Sequence, residues 1–129
     1  MPLVDANVIL RYLLNDHPVM SNKAREIILA GAETTPEILA EVVYVLHGVY
    51  KADRASIATA LEDFLQDITI AQKSAVRYAC RLYGKRSLDF VDCLLAGYHH
   101  MDGIDVFTFD EKLGKVLLTD PLAPPTENP

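Results

Sequence analysis

An α/β fold, with a central and mostly parallel sheet flanked by helices, is what this chain predicts. Short runs of strand-forming residues alternate with longer runs whose apolar residues recur at helical spacing, the order that builds parallel sheets through helical crossovers. The helical runs open and close on capping residues. At separated points along these elements stand four acids, Asp5, Glu41, Asp92 and Asp110, set in apolar or helix-opening sequence instead of polar loops.

The elements follow in order. Residues 2–5 predict a short strand that runs straight into Asp5. Residues 6–14 carry Val8, Ile9, Tyr12 and Leu13 along one side, and the run Asn15, Asp16, His17, Pro18 breaks that helix, because Pro disfavours helix at the residue before it. A second helix is expected from about 18 to 30, ended by Gly31. Residues 32–35 predict another brief strand. Thr35, Pro36 and Glu37 then form a strong helix start, with an N-cap hydroxyl, a Pro whose missing N–H costs nothing there, and an acid at the positive dipole end. That helix is expected to run to about 50.

Asp53 opens a helix to about 67, turning Ile57, Leu61, Phe64 and Leu65 inward, and residues 68–70 predict a third strand. Residues 71–83 predict a helix closed by Gly84, and residues 89–101 another closed near Gly103. Residues 105–109 alternate and are rich in strand formers, so a fourth strand is expected there, followed by a short helix over 110–116. Residues 1–119 read as one domain; residues 120–129 are a Pro-rich tail expected to be loosely ordered.

Half of the residues are hydrophobic and 23% are charged, which excludes a disordered acidic protein. The apolar runs are too short for a membrane span and the N-terminus has no basic flank, so a cytoplasmic protein without membrane attachment is expected. Cys80 and Cys93 lie in helical sequence without zinc spacing and read as reduced buried thiols. The net charge of −6 argues against a broad basic surface for nucleic acid, though it leaves room for a protein that grips a few phosphates through metal. Lys73, Arg77, Arg81 and Lys85 line one helix stripe, which reads as a solvated face.

An ionised carboxylate among apolar side chains is costly unless something positive compensates it, and no matching set of Lys or Arg accompanies the four acids. A hard divalent cation would resolve that deficit. Asp5 serves equally well as a helix N-cap or as a ligand, and Asn7 adds a polar group at the same mouth or makes a local turn bond. Glu41 falls at the margin of the buried stripe formed by Ile38, Val42, Val45, Leu46 and Val49, whereas Glu37 is explained by the helix dipole alone. Asp92 is the strongest case: its helix is apolar in nearly every direction, and it reads as lying in the second turn, past the capping positions. Asp89, three residues earlier, reads first as a cap and second as a neighbour of the metal. Asp110 ends the expected fourth strand, where capping is a fair alternative, and Thr108 points to the same face. The four histidines have no metal-binding or triad spacing, and no Gly-rich phosphate loop is present.

Residues 3–8 (Leu-Val-Asp-Ala-Asn-Val), the Glu41 helix, residues 89–96 (Asp-Phe-Val-Asp-Cys-Leu-Leu-Ala) and residues 108–110 (Thr-Phe-Asp), in this order, resemble the PIN-domain family of metal-dependent ribonucleases. The layout is also similar to the VapC toxins, the nuclease halves of toxin–antitoxin pairs, and residues 11–15 (Arg-Tyr-Leu-Leu-Asn) resemble that branch. The similarity extends from Leu3 to about Leu117. It implies an endoribonuclease with Asp5, Glu41, Asp92 and Asp110 as catalytic acids around one or two Mg²⁺ or Mn²⁺ ions. Asp5, Asp92 and Asp110 would be the ligands, with Asn7, Asp89 and Thr108 supporting them. It also implies an RNA substrate, a homodimer and an inhibitory antitoxin. Two departures stand out: the first strand is short, and after Asp110 only residues 116–119 could represent the strand that often follows. Two rivals are a non-catalytic interaction module on the same fold, and an acid-rich phosphotransfer or phosphatase domain. The second would want paired acids at the first strand and a late-strand Lys, which this chain does not supply.

Overall fold

Local capping chemistry starts most of the helices. In the computed structural model, which describes residues 1–124, α1 spans Ala6–Leu14 and the Asp5 side chain accepts from the Val8 N–H at 3.1 Å. Helix α2, Pro18–Leu29, is capped by the His17 ring, which accepts from the Met20 N–H. Helix α3, Pro36–Gly48, starts on Thr35, and α4, Arg54–Phe64, starts on Asp53; each of those side chains accepts the N–H three residues on. Helices α5, Lys73–Lys85, and α6, Phe90–Asp102, lack a side-chain cap bond, and α7, Glu111–Leu118, takes one from Asp110 at 2.9 Å. Each such cap contributes about 1 kcal/mol.

The sheet is small. Strand β1, Glu33–Thr34, pairs in parallel with β2, Thr69–Ile70, with Glu33 opposite Thr69. The strand expected at 2–5 is a single parallel bridge from Leu3 to Glu33, in which the Val4 N–H donates to the Glu33 carbonyl at 2.9 Å. The molecule is thus an α/β domain with a small parallel sheet flanked by helices.

Three expectations are corrected. Among the described residues, 105–109 joins no ladder. Its outward rings Phe107 and Phe109 are 83% and 93% exposed and pack edge to face on each other. Alternation marks a segment able to pair, but pairing also needs an edge brought alongside and a face worth burying. Residues 116–118 are the end of α7 and not a strand remnant, because they continue the apolar spacing that buries Leu113 and Val116. Helix α5 runs through Gly84 instead of stopping at it. A Cβ there would sit 2.8 Å from the Cβ of Ala58, so this glycine allows α4 and α5 to approach closely. Gly97 in α6 has the same role more sharply, since a Cβ would collide with the Ala75 carbonyl of α5.

The core lies between α3, α4, α5 and α6, with Leu39, Leu61, Phe64, Val76, Leu82 and Cys93 buried at its centre. Gly103, in the left-handed region at φ 69°, ends α6 as its sequence implies. At the start of the C-terminal tail the chain is anchored: the Tyr78 hydroxyl donates to Asp120 at 2.5 Å and Leu122 packs against the core. Residues 125–129 of the predicted tail lie outside the described residues. Among the described residues no helix is long and apolar enough to cross a membrane.

Candidate metal centre

The α5–α6 turn delivers the best-placed acids. Two cations hold it. Arg54, the first residue of α4, donates through Nη1 to the carbonyls of Tyr83, Arg86 and Leu88 at 3.2, 2.8 and 2.7 Å. Lys112, in α7, donates to the Ser87 carbonyl at 2.6 Å. Three consecutive carbonyls, 86 to 88, are thereby fixed immediately before Asp89. Neither residue was singled out from the sequence. For Arg54 a signal was available: a cation in the first turn of a helix opposes the macrodipole, so a tertiary contact must compensate it.

Asp89 occupies the N-cap position of α6 but its side chain makes no cap bond. The capping role expected for it is therefore not the one its carboxylate performs, and that group stays available. Asp92 lies in the first turn of α6, one turn earlier than expected, and is half-buried. Helix α6 is not buried all round, since Val91 is 56% exposed. Burial, then the nearby carboxylates of Asp89 and Asp110, push the Asp92 carboxyl above the usual carboxylate range. These three acids therefore share one electrostatic neighbourhood.

Glu41 is exposed on α3 and lines, with Tyr44, His47, Arg54, Asp89 and Asp92, a cleft of about 780 Å³. Glu37 faces a different groove, beside Val91, Leu94 and Tyr98. Asp110 follows an irregular segment and not a strand, and its carboxylate caps α7. The Thr108 hydroxyl accepts the Asp110 N–H at 3.0 Å, so Thr108 sets the backbone of that acid. Asp5 is exposed and caps α1, and neither the cleft nor the charges acting on Asp92 include it. Asn7 lines an apolar pocket between α1 and α2 instead of the acid-lined cleft.

Among the described residues, no three His, Cys, Asp or Glu side chains stand close enough together to hold a metal ion as they are placed. The donor set nevertheless fits a hard divalent cation. It is made of carboxylates, that of Asp89 making no cap bond and that of Asp92 raised by burial and then by its acidic neighbours, and a bound positive charge would favour the ionised form of both. Three of the histidines spend one ring nitrogen on the backbone. His47, His99 and His100 each donate a ring N–H to a backbone carbonyl, those of Ala52, Ile104 and Val116. Cys80 and Cys93 are buried and unpaired, with burial the first cause pushing each thiol up to about 12.

A family model described as PIN domain matches residues 3–116. The VapC ribonuclease of Aquifex aeolicus (strain VF5) is similar to this chain, being 29% identical over 124 residues that cover 90% of this chain and 92% of that protein. No solved structure matches.

Proposed function

From the premise that this chain belongs to the PIN-domain family, we propose that it is a metal-dependent endoribonuclease that hydrolyses RNA phosphodiester bonds, acting as the toxin of a VapBC-type toxin–antitoxin pair. The observation that carries the reading is the neighbourhood of Asp92, whose carboxyl is raised by burial and then by Asp89 and Asp110, on the wall of a cleft shared with Glu41. A bound Mg²⁺ or Mn²⁺ would supply Lewis-acid activation of water and neutralise charge developing on the phosphoryl oxygens.

The residues of the chain do the rest. Asp92 and Asp110, with Asp5 brought in from the start of α1, would hold the cation through carboxylate oxygens. Glu41, on the opposite wall, would accept a proton from the attacking water. Asp89, with a carboxylate not spent on capping, would support the cation site, while Thr108 fixes the Asp110 backbone. Asn7 would have to turn from its apolar pocket to take part. Homodimerisation and inhibition by a cognate antitoxin belong to the same proposal, and similarity to a VapC ribonuclease supports them.

Cleavage of an RNA oligonucleotide by the purified protein is the test. Activity is expected with Mg²⁺ or Mn²⁺, none in EDTA, and little rescue by Ca²⁺, which coordinates more loosely. Full activity in chelator would remove the metal from the mechanism. Asp92→Asn or Glu41→Gln should each lower the rate by about two orders of magnitude, roughly 3 kcal/mol of transition-state stabilisation, with Glu37→Gln within a few-fold of wild type.

A further inference from the structure

We propose that Arg54 is a substrate-positioning residue that grips an RNA phosphate flanking the scissile one; this rests on the nuclease reading above. The guanidinium is rigid. Its Nη1 serves three carbonyls of the α5–α6 turn, and its plane lies over the Tyr83 ring with 4.2 Å from Cζ to the centroid. Nη1 has two of the five N–H donors of the group. Among the described residues the remaining guanidinium nitrogens have no hydrogen-bond partner, and neither is fully buried. Arg54 lines the cleft that holds Glu41, Asp89 and Asp92. Among the described residues no carboxylate lies within ion-pairing distance of it.

Bracing the end of α5, where a positive charge is itself favourable, occupies Nη1 alone. What Arg54 adds is a fixed cation without a carboxylate partner, with N–H donors to spare, in the lining of a cleft that also holds Glu41, Asp89 and Asp92. Those acids would repel the polyanion that has to enter. A planar fork of this kind matches the two non-bridging oxygens of a phosphodiester, and its immobilisation is complete before the ligand arrives. The structural role and the substrate role are separable because different nitrogens perform them.

The experiment uses the full chain as wild type, Arg54→Gln and Arg54→Lys. It reads KM and kcat for a single-stranded RNA oligonucleotide across salt concentrations with Mn²⁺, and the Mn²⁺-induced rise in melting temperature without RNA. For Arg54→Gln the expected result is a KM raised about tenfold or more, the loss of a charge-assisted contact. The salt dependence of log KM should flatten by about 0.7 per log unit, one phosphate on a single strand, with kcat within a few-fold. The Mn²⁺ shift should be no smaller than wild type, since a cation near the acids is gone. Arg54→Lys keeps the charge without the fork, so it should preserve the salt slope while KM still rises, and it carries the test if the Gln variant does not fold. An unchanged KM and salt slope in a folded variant would overturn the inference and leave Arg54 as a brace for the turn. A fall in kcat and in the Mn²⁺ shift with an unchanged salt slope would do the same. A wild type that cleaves no RNA with any divalent metal would instead defeat the nuclease reading itself.

Discussion

Capping and metal binding make different demands on one carboxylate, and that difference separates the roles of Asp5. Its side chain caps α1 in the structure. Asn caps nearly as well as Asp, whereas Ala loses about 1 kcal/mol. Asp5→Ala should therefore melt lower than wild type and Asp5→Asn should melt within a degree or two of it. If Asp5 is also a ligand, both should lose RNA cleavage by about a hundredfold, and an active Asp5→Asn protein would reduce it to a cap. Asp92 carries a pH signature. A carboxyl raised in the folded state stabilises the fold below its unfolded pKa, and that contribution is lost as pH rises through the folded value. Without metal, Asp92→Asn should accordingly melt higher than wild type at neutral pH, with the gap closing as pH falls through the raised folded value to the ordinary aspartate range. A gap that does not change with pH would show that Asp92 is not under charge repulsion. The two thiols should resist a thiol reagent at pH 8 in the native protein and react fully in denaturant, because burial keeps both protonated.

At the scale of elements, the position of α6 depends on a glycine contact. A Cβ at Gly97 would collide with the backbone carbonyl of Ala75, whereas one at Gly84 would sit 2.8 Å from the Ala58 Cβ, an equally fixed atom that is less deeply overlapped. Gly97→Ala should therefore lower stability in urea by about 1–3 kcal/mol, more than Gly84→Ala does. Equal, negligible effects would mean that α5 and α6 slide apart freely. Helix starts at Thr35 and Asp53 and the end at Gly103 were legible in sequence because capping is a local interaction. The strand expected at 105–109 was not fulfilled, because a strand exists only with a partner and alternation says nothing about where an edge lies. The same limit explains Asn7: its place in sequence two residues after Asp5 put it at the expected mouth, but helical rotation turned it toward α2.

For the whole molecule, gathering acids has a thermodynamic consequence that metal should reverse. A cation that binds only the native state stabilises it by mass action, about 2.7 kcal/mol at a hundred times its dissociation constant. Mn²⁺ should raise the melting temperature of wild type and raise that of Asp92→Asn less, since a ligand is missing. Equal shifts in the two proteins would place the metal elsewhere or nowhere near α6. The net charge of −6 bears on the proposed substrate: an RNA would have to be held by a few fixed cations and by metal and not by a diffuse basic surface.

By itself the sequence determined the helices, the starts at Thr35 and Asp53 and the buried thiols, since these follow from spacing, side-chain type and contacts within a turn. Tertiary structure alone decided which acids meet. It joined Asp92 to Asp89 and Asp110 across α6 and α7, left Asp5 on its cap, and released Asp89 from capping. It also recruited Arg54 and Lys112 to the turn before Asp89, from 32 and 25 residues away for Arg86 and Ser87. Convergence of that kind is set by the packing of α4, α5, α6 and α7, and no periodicity within one segment encodes it.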